Sequence, residues 1–251
     1  MTIFEDFLLV NKEALKKAWD SFAKNWPIAL TAIAYSLINV LAYSLVSIIF
    51  RGPLYILAGF VNGFITASLI SNYLYLLFNV INYNRITFQD FKYGFKAFLR
   101  PVYSVLVFIW IISYFLSVFG IVSPRGSFSI NLLVGLFILI SLNALPETIY
   151  QKQYIGMDSI VYSLEFARDN IVNWYIPNIA FGLLIYLVSG NIITDIFMTN
   201  ININLIYSDL ALAARDIMGQ LIFSFMMIYR GYLYRTLSTS TKRKREYMNK
   251  F

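Results

Sequence analysis

Six apolar runs, separated by short polar or charged stretches, constrain this chain more than any other feature it has. They extend over Pro27–Phe50, Pro53–Val80, Pro101–Val122, Ile130–Ile149, Tyr175–Phe197 and about Leu212–Tyr234. Each matches the roughly 20 residues an α-helix needs to cross the hydrocarbon core of a bilayer. A backbone surrounded by lipid must satisfy its own hydrogen bonds, and runs of this length do so as helices. The expected fold class is therefore all-α: a polytopic membrane protein of six transmembrane helices. Composition agrees, because only 13% of the 251 residues are charged while 59% are hydrophobic. A soluble domain carries about twice that charge.

Orientation follows from the basic residues. Of the 20 Lys and Arg, all but Arg51, Arg125 and Arg215 fall on one side when the six runs are threaded alternately through a membrane. The positive-inside rule assigns that side to the cytoplasm. Both termini are then expected there, in a multi-pass protein of the cell (cytoplasmic) membrane. Residues 1–26 carry Glu5, Asp6, Glu13 and Asp20 and lack the short apolar core of a signal peptide, so anchoring is expected to rest on the internal spans.

The stretch NRITFQDFKYGFKAFLRP (Asn84–Pro101) lies on the basic side. Phe88, Phe91, Phe95 and Phe98 recur at helical spacing, and Gln89, Asp90, Lys92 and Lys96 take the opposite face. Such a helix lies in the interface, with Phe91, Phe95 and Phe98 against acyl chains or neighbouring spans and Lys92 and Lys96 toward headgroups or water. The construction recurs before Pro27, where Phe4, Leu8, Leu15, Trp19, Phe22 and Trp26 share a face opposite Glu13, Lys16, Lys17 and Asp20. It recurs again before Pro177, where Ile160, Leu164, Ala167, Ile171 and Trp174 oppose Asp158, Glu165 and Asp169. The three prolines are nearly evenly spaced. A threefold internal repeat is expected within a single membrane domain, 1–251, with units 3–82, 84–150 and 157–235 and a basic tail, 236–251. Each unit would be an interfacial helix followed by two spans, with the bend just ahead of each proline, because proline lacks an N–H and disfavours helix in the residue before it. Gly59, Gly63, Ala67 and Ser71 recur every fourth residue in the second span, a small-residue stripe for close helix packing.

Chemistry-bearing residues are few. The absence of His and Cys removes the commonest general base, the commonest transition-metal ligand and any thiolate. No phosphate-binding glycine loop is present, and no catalytic residues, cofactor or metal are expected. The charged groups nearest the membrane interior are Glu147 after Pro146, Asp195 near the outer end of the fifth run, and Arg230, expected to snorkel to the cytoplasmic boundary. Asparagines within the runs read as interhelical ties or as a polar lining. The tail KRKRE (Lys242–Glu246) reads as a topology anchor that attracts anionic lipid.

Some segments resemble those of an uncharacterised bacterial six-span integral membrane family, itself related to the membrane domain of glycerophosphodiester phosphodiesterases. NRITFQDFKYGFKAF (Asn84–Phe98) is similar to its "sF-x-DLF-x-GFK" segment, and MDSIVYSLEFARDNIVNW (Met157–Trp174) to its "s-x-x-eAL-x-x-S-x-x-l-x-x-g-n-x-W" segment. The resemblance implies a six-span fold and transfers no catalytic residues. The expected function is non-enzymatic: organising or sensing the bilayer, or supporting a membrane partner. The alternative is a transporter or permease subunit for a lipid-like or apolar substrate. Expected partners are membrane lipids, with anionic headgroups at the cytoplasmic face, and there is room for a membrane-protein partner; nucleic acid is not expected.

Overall fold

The computed structural model describes residues 2–52, 55–119, 128–201, 209–241, 244, 245 and 247. Pro53, Val122, Arg125 and most of the basic tail lie outside them. The described residues form helices and no strand. Helix α1 (Ile3–Asn25) runs through a 3-10 turn (Trp26–Leu30) into α2 (Thr31–Ile49). Then follow α3 (Tyr55–Tyr83), α4 (Phe88–Ala97), α5 (Leu99–Val118), α6 (Phe128–Ser141) and α7 (Leu145–Lys152). The last three are α8 (Met157–Asp169), α9 (Ile171–Ser189) and α10 (Leu210–Thr239). Six helical stretches are long and apolar enough to cross a membrane: the one containing α2, then α3, α5, α6 with α7, α9 and α10.

Two spans differ from the sequence expectation. The fourth is interrupted at Leu142–Ala144, where the backbone turns before Pro146 restarts it as α7. A proline supplies no N–H and crowds the preceding turn, so the helix breaks there. The fifth begins earlier, at Ile171, and ends earlier, at Ser189, where Gly190 takes the left-handed conformation (φ 75°) and its N–H caps Tyr186. Residues 190–201 are irregular and fold back, with Phe197 and Ile201 buried and the Ile201 N–H donating to Gln220 Oε1 at 3.0 Å.

Helices α3, α7 and α10 pack against one another and form the core, which buries Tyr73, Leu77, Tyr150, Leu233 and Tyr234. The amphipathic helices pack on these same three: α4 on α3, α8 on α7 and α1 on α10. The backbone also recurs. Asn25 (φ −119°, ψ 23°), Phe98 (φ −116°, ψ 16°) and Asn170 (φ −124°, ψ 27°) leave helical geometry in the same way, each between an amphipathic helix and the span after it. Asn25 and Asn170 each donate from Nδ2 to the carbonyl four residues earlier. The third break therefore falls at Asn170 rather than beside Trp174 and Tyr175, and Pro177 lies inside α9.

Helix α4 starts with a capping box, in which Thr87 Oγ1 accepts from the Asp90 N–H and Asp90 accepts from the Thr87 N–H. Phe98 is buried, Phe91 and Phe95 are half-buried against the core, and Lys92 and Lys96 are exposed. Of the two expected surroundings, Phe91, Phe95 and Phe98 thus meet neighbouring spans. Only Phe88 stays outside, with Lys92 Nζ 4.8 Å from its ring centre. Contact with α3 is close because Ala67 and Ser71 are small: Ser71 Oγ donates to Gly94 O (2.7 Å) and accepts from the Phe98 N–H (2.8 Å). Gly59 and Gly63, the other half of the small-residue stripe, have no atom against them.

Helix α1 carries three faces. Asp6, Val10, Ala14, Ala18, Ser21 and Asn25 are buried; Glu13, Lys16, Lys17 and Asp20 are exposed; Phe4 (68% exposed), Leu8, Leu15, Trp19 (68%) and Trp26 form a second, apolar exposed row. At about 100° per residue the three faces stand roughly 120° apart. Most of the large apolar side chains are the outer surface of α1, and its small and polar side chains meet α10. Phe22, expected in the outer row, is instead half-buried and packs with the edge of Trp19 on Phe225 of α10.

A Cβ at Gly94 would stand 3.0 Å from Asn72 Cα and 3.1 Å from Asn72 O. Gly94→Ala is expected to destabilise the protein by about 1–3 kcal/mol, read as a lower melting temperature in detergent. Gly59→Ala, at an open position, is the comparison and should leave that temperature unchanged or raise it.

Candidate functional site

The break in the fourth span creates the most unusual chemistry in the molecule. Glu147 sits in the first turn of α7, just after Pro146, and is fully buried. Arg230, on α10, is 6% exposed. The two form a bidentate ion pair, Nε to Oε1 at 2.8 Å and Nη2 to Oε2 at 2.9 Å. Interrupting the helix at Leu142–Ala144 frees the Asn143 carbonyl, which accepts a further bond from Arg230 Nη2 at 2.5 Å. The Asn143 side chain accepts from Trp174 Nε1 at 3.0 Å, and the Arg230 guanidinium carbon lies 5.1 Å from the centre of the Trp174 ring. One broken turn thus supplies a carboxylate, a carbonyl and an amide, and orients the aromatic ring that shields the cation.

The sequence placed Arg230 and Glu147 separately, as charges near helix ends. Arg230 does not snorkel, because its carboxylate partner is already inside. Trp174, read on the apolar face of the third amphipathic helix, is buried with its indole N–H satisfied. Asp195 stands apart from this group. It lies beyond the end of α9, is exposed, and accepts from the Phe197 N–H in a local turn.

Arg230 and Asn143 also line an apolar cleft of about 930 Å³. Its walls come from α6 (Leu139, Ile140), α8 (Leu164, Ala167), α9 (Ile171 to Tyr186) and the segment after α9 (Ile192, Ile193). A second, larger cleft of about 1690 Å³ opens between α1, α9 and α10. It combines apolar α9 residues such as Ile176, Ala180 and Leu184 with Lys12, Lys16, Lys17, Arg235 and Lys244.

A second buried ion pair joins the two ends of the chain. Arg245 donates from Nε and Nη2 to Asp6 (both 2.8 Å), and Asn173 Nδ2 donates to the same carboxylate at 2.9 Å. Tyr229 donates to Asn11 on the same α1 face. Arg245, expected in a lipid-attracting tail, is instead 7% exposed and also bonds Ser240 O. Sequence periodicity could not signal either pair, since each joins residues far apart along the chain.

Compared with known proteins, the chain matches no family model, no curated protein and no solved structure. The site must be read from its own geometry.

A buried pair is costly to halve and cheap to replace whole. Glu147→Leu or Arg230→Met alone is expected to cost about 3–5 kcal/mol, whereas the double substitution should recover most of that loss. Melting temperatures of the three variants in one detergent test this; a double variant no better than either single would show that the pair's remaining partners, Asn143 and Trp174, dominate.

Proposed function

We propose that this is a non-enzymatic membrane protein that organises lipid at the cytoplasmic boundary of the bilayer, with both termini cytoplasmic. The observation that carries the reading is the three-faced α1: one face on protein, one row of large apolar side chains turned outward, one row of charges. That arrangement suits a helix at the line where protein, lipid and water meet. The orientation is supported by the lopsided distribution of Lys and Arg and by the Asp6–Arg245 pair, which keeps the two terminal segments at one end. The basic cleft beside α1 adds cations where anionic headgroups would lie.

The threefold repeat belongs to the same reading. The shared backbone break at Asn25, Phe98 and Asn170 supports it, and so does the cyclic packing of α4 on α3, α8 on α7 and α1 on α10. Three amphipathic helices around one core would bring the boundary layer under control from all sides. The relation to the membrane domain of glycerophosphodiester phosphodiesterases is part of this proposal and rests on the quoted segments.

A second reading is favoured by one observation, the apolar cleft lined in part by Arg230. Such a cleft would suit transport of a lipid-like substrate between leaflets. Dithionite bleaching of a fluorescent phospholipid in proteoliposomes separates the two: faster loss of inner-leaflet signal than in protein-free vesicles favours transport, and an unchanged rate favours the organising role.

In nanodiscs of mixed phosphatidylcholine and phosphatidylglycerol, the protein is expected to retain phosphatidylglycerol above its bulk share through detergent extraction. Replacing Lys12, Lys16, Lys92 and Lys96 with Gln should remove that enrichment with no change in melting temperature, since all four are exposed. Lipid mass spectrometry reads the outcome, and equal retention of the two lipids by the unaltered protein would sink the proposal.

A further inference from the structure

We infer that the cleft between α1, α9 and α10 is a discrete binding site for one anionic phospholipid, with its phosphate among Lys12, Lys16, Arg235 and Lys244 and an acyl chain along α9. The inference rests on the lipid-organising reading and turns a general attraction for anionic lipid into a single site.

The charges of this cleft do not cancel. Its lining carries six basic and two acidic side chains. Lys17 is paired with Glu13 at 2.6 Å, and Arg245 with Asp6 at 2.8 Å. Glu5 accepts from the Thr2 N–H in the cap of α1 and keeps its charge. Lys12, Lys16, Arg235 and Lys244 are exposed and make no ion pair among the described residues. Arg235 Nη1 donates to the Ile81 carbonyl at 3.1 Å, which leaves its charge uncancelled. Asp20, one turn beyond Lys16, is outside the lining. Four unpaired cations thus share the cleft with one unpaired carboxylate. The cleft beside Arg230 differs, because Glu147 and Asp169 compensate the two arginines that line it.

The cleft is also polarised along its length. Helices α9 and α10 run antiparallel beside it: Trp174 meets Tyr234 and, two turns further along α9, Phe181 meets Tyr229, with ring centres 6.1 and 5.1 Å apart. Arg235 therefore stands toward the end where α9 begins, whereas Phe181 and Leu184 line the deeper part. The α9 wall from Ile176 to Leu184 is about 12 Å long at 1.5 Å per residue, close to the ~15 Å depth of one leaflet. Leu8 and Leu15 of α1 and Ile176 and Leu184 of α9 line the cleft and are exposed, so acyl chains can reach it.

The two halves select the ligand together. A zwitterionic lipid brings its own cation beside the four already there. A soluble phosphate leaves the α9 wall unused. A phospholipid of net negative charge answers both halves, and basic pockets between membrane helices take such headgroups.

The test titrates the full chain in nonionic detergent with dioleoylphosphatidylglycerol, and native mass spectrometry counts the lipids bound. One phosphatidylglycerol is expected to bind ahead of the rest, and dioleoylphosphatidylcholine to bind about tenfold more weakly. Lys12→Gln with Lys16→Gln should weaken the first lipid about thirtyfold. Lys92→Gln with Lys96→Gln, on α4 and outside the cleft, should leave it unchanged. Ala180 lines the cleft and is exposed, so Ala180→Trp should abolish the first binding event at an unchanged melting temperature. Glycerophosphoglycerol, the same headgroup without chains, should not compete. Equal effects of the two lysine pairs overturn the inference. So do binding that survives Ala180→Trp, competition by the chain-free headgroup, or equal binding of the two lipids. If Ala180→Trp lowers the melting temperature, the lysine pairs, all exposed, decide alone. Loss of the site with phosphatidylglycerol still enriched in nanodiscs removes this inference and spares the lipid-organising role; equal retention of both lipids there removes the two together.

Discussion

A salt bridge buried between apolar helices is only worth its desolvation if every remaining lone pair and proton is met, and that requirement shapes the centre of this protein. Glu147 and Arg230 come from different helices, and each needs the other within hydrogen-bond reach. The broken turn at Leu142–Ala144 provides the extra acceptor, and Trp174 provides the cover. Close approach follows at Gly231, next to Arg230, where an added Cβ would stand 2.6 Å from Tyr150 Oη and 2.8 Å from Ile81 Cδ1. Helices α3, α7 and α10 therefore meet where the pair sits, and α8 and α9 are held in place by the same tryptophan, whose ring lies 5.2 Å from that of Phe166.

Around that centre, the surface obeys the rules of two solvents. In water, a large apolar row turns inward and small polar residues turn out. On α1 the reverse holds: Phe4, Leu8, Leu15 and Trp19 are outside, and Asp6, Ser21 and Asn25 are inside, tied to Arg245, Asn84 and one another. Lipid tails are as apolar as leucine, so burying leucine against protein gains little, whereas small residues let backbones approach and polar ones find partners. On α4 the aromatics do pack inward, because Gly94 and Ser71 bring the helix so close to α3 that Phe91 and Phe98 reach the core.

This is also why the sequence disclosed some parts and not others. The apolar runs of a spanning helix are a length signal, and the six stretches followed from it with little error. The start of α4 at a Thr87–Asp90 capping box is an equally local signal, which the phenylalanine spacing alone does not use. Amphipathic spacing, in contrast, reveals that Leu8, Leu15 and Trp19 share a face but is silent on whether that face meets protein or lipid. The span break before Pro146 was visible as a proline, yet its consequence, a freed carbonyl for Arg230, depends on a helix from the other end of the chain. Proline is the stronger local signal and points to a bend beside Pro177, whereas the bend lies at Asn170. The asparagine that reaches back to its own helix did the work instead.

One consequence concerns the order in which the molecule is made. Helix α1 packs chiefly on α10, and the Asp6 carboxylate is neutralised by Arg245 beyond it. A ribosome produces α1 before any of its partners exist. Until the last span is made, Asp6 lacks Arg245 and Asn11 lacks Tyr229, while Phe4, Leu8, Leu15 and Trp19 already form the outward row of the helix. The α1–α10 contact is therefore one that no shorter stretch of the described chain can make.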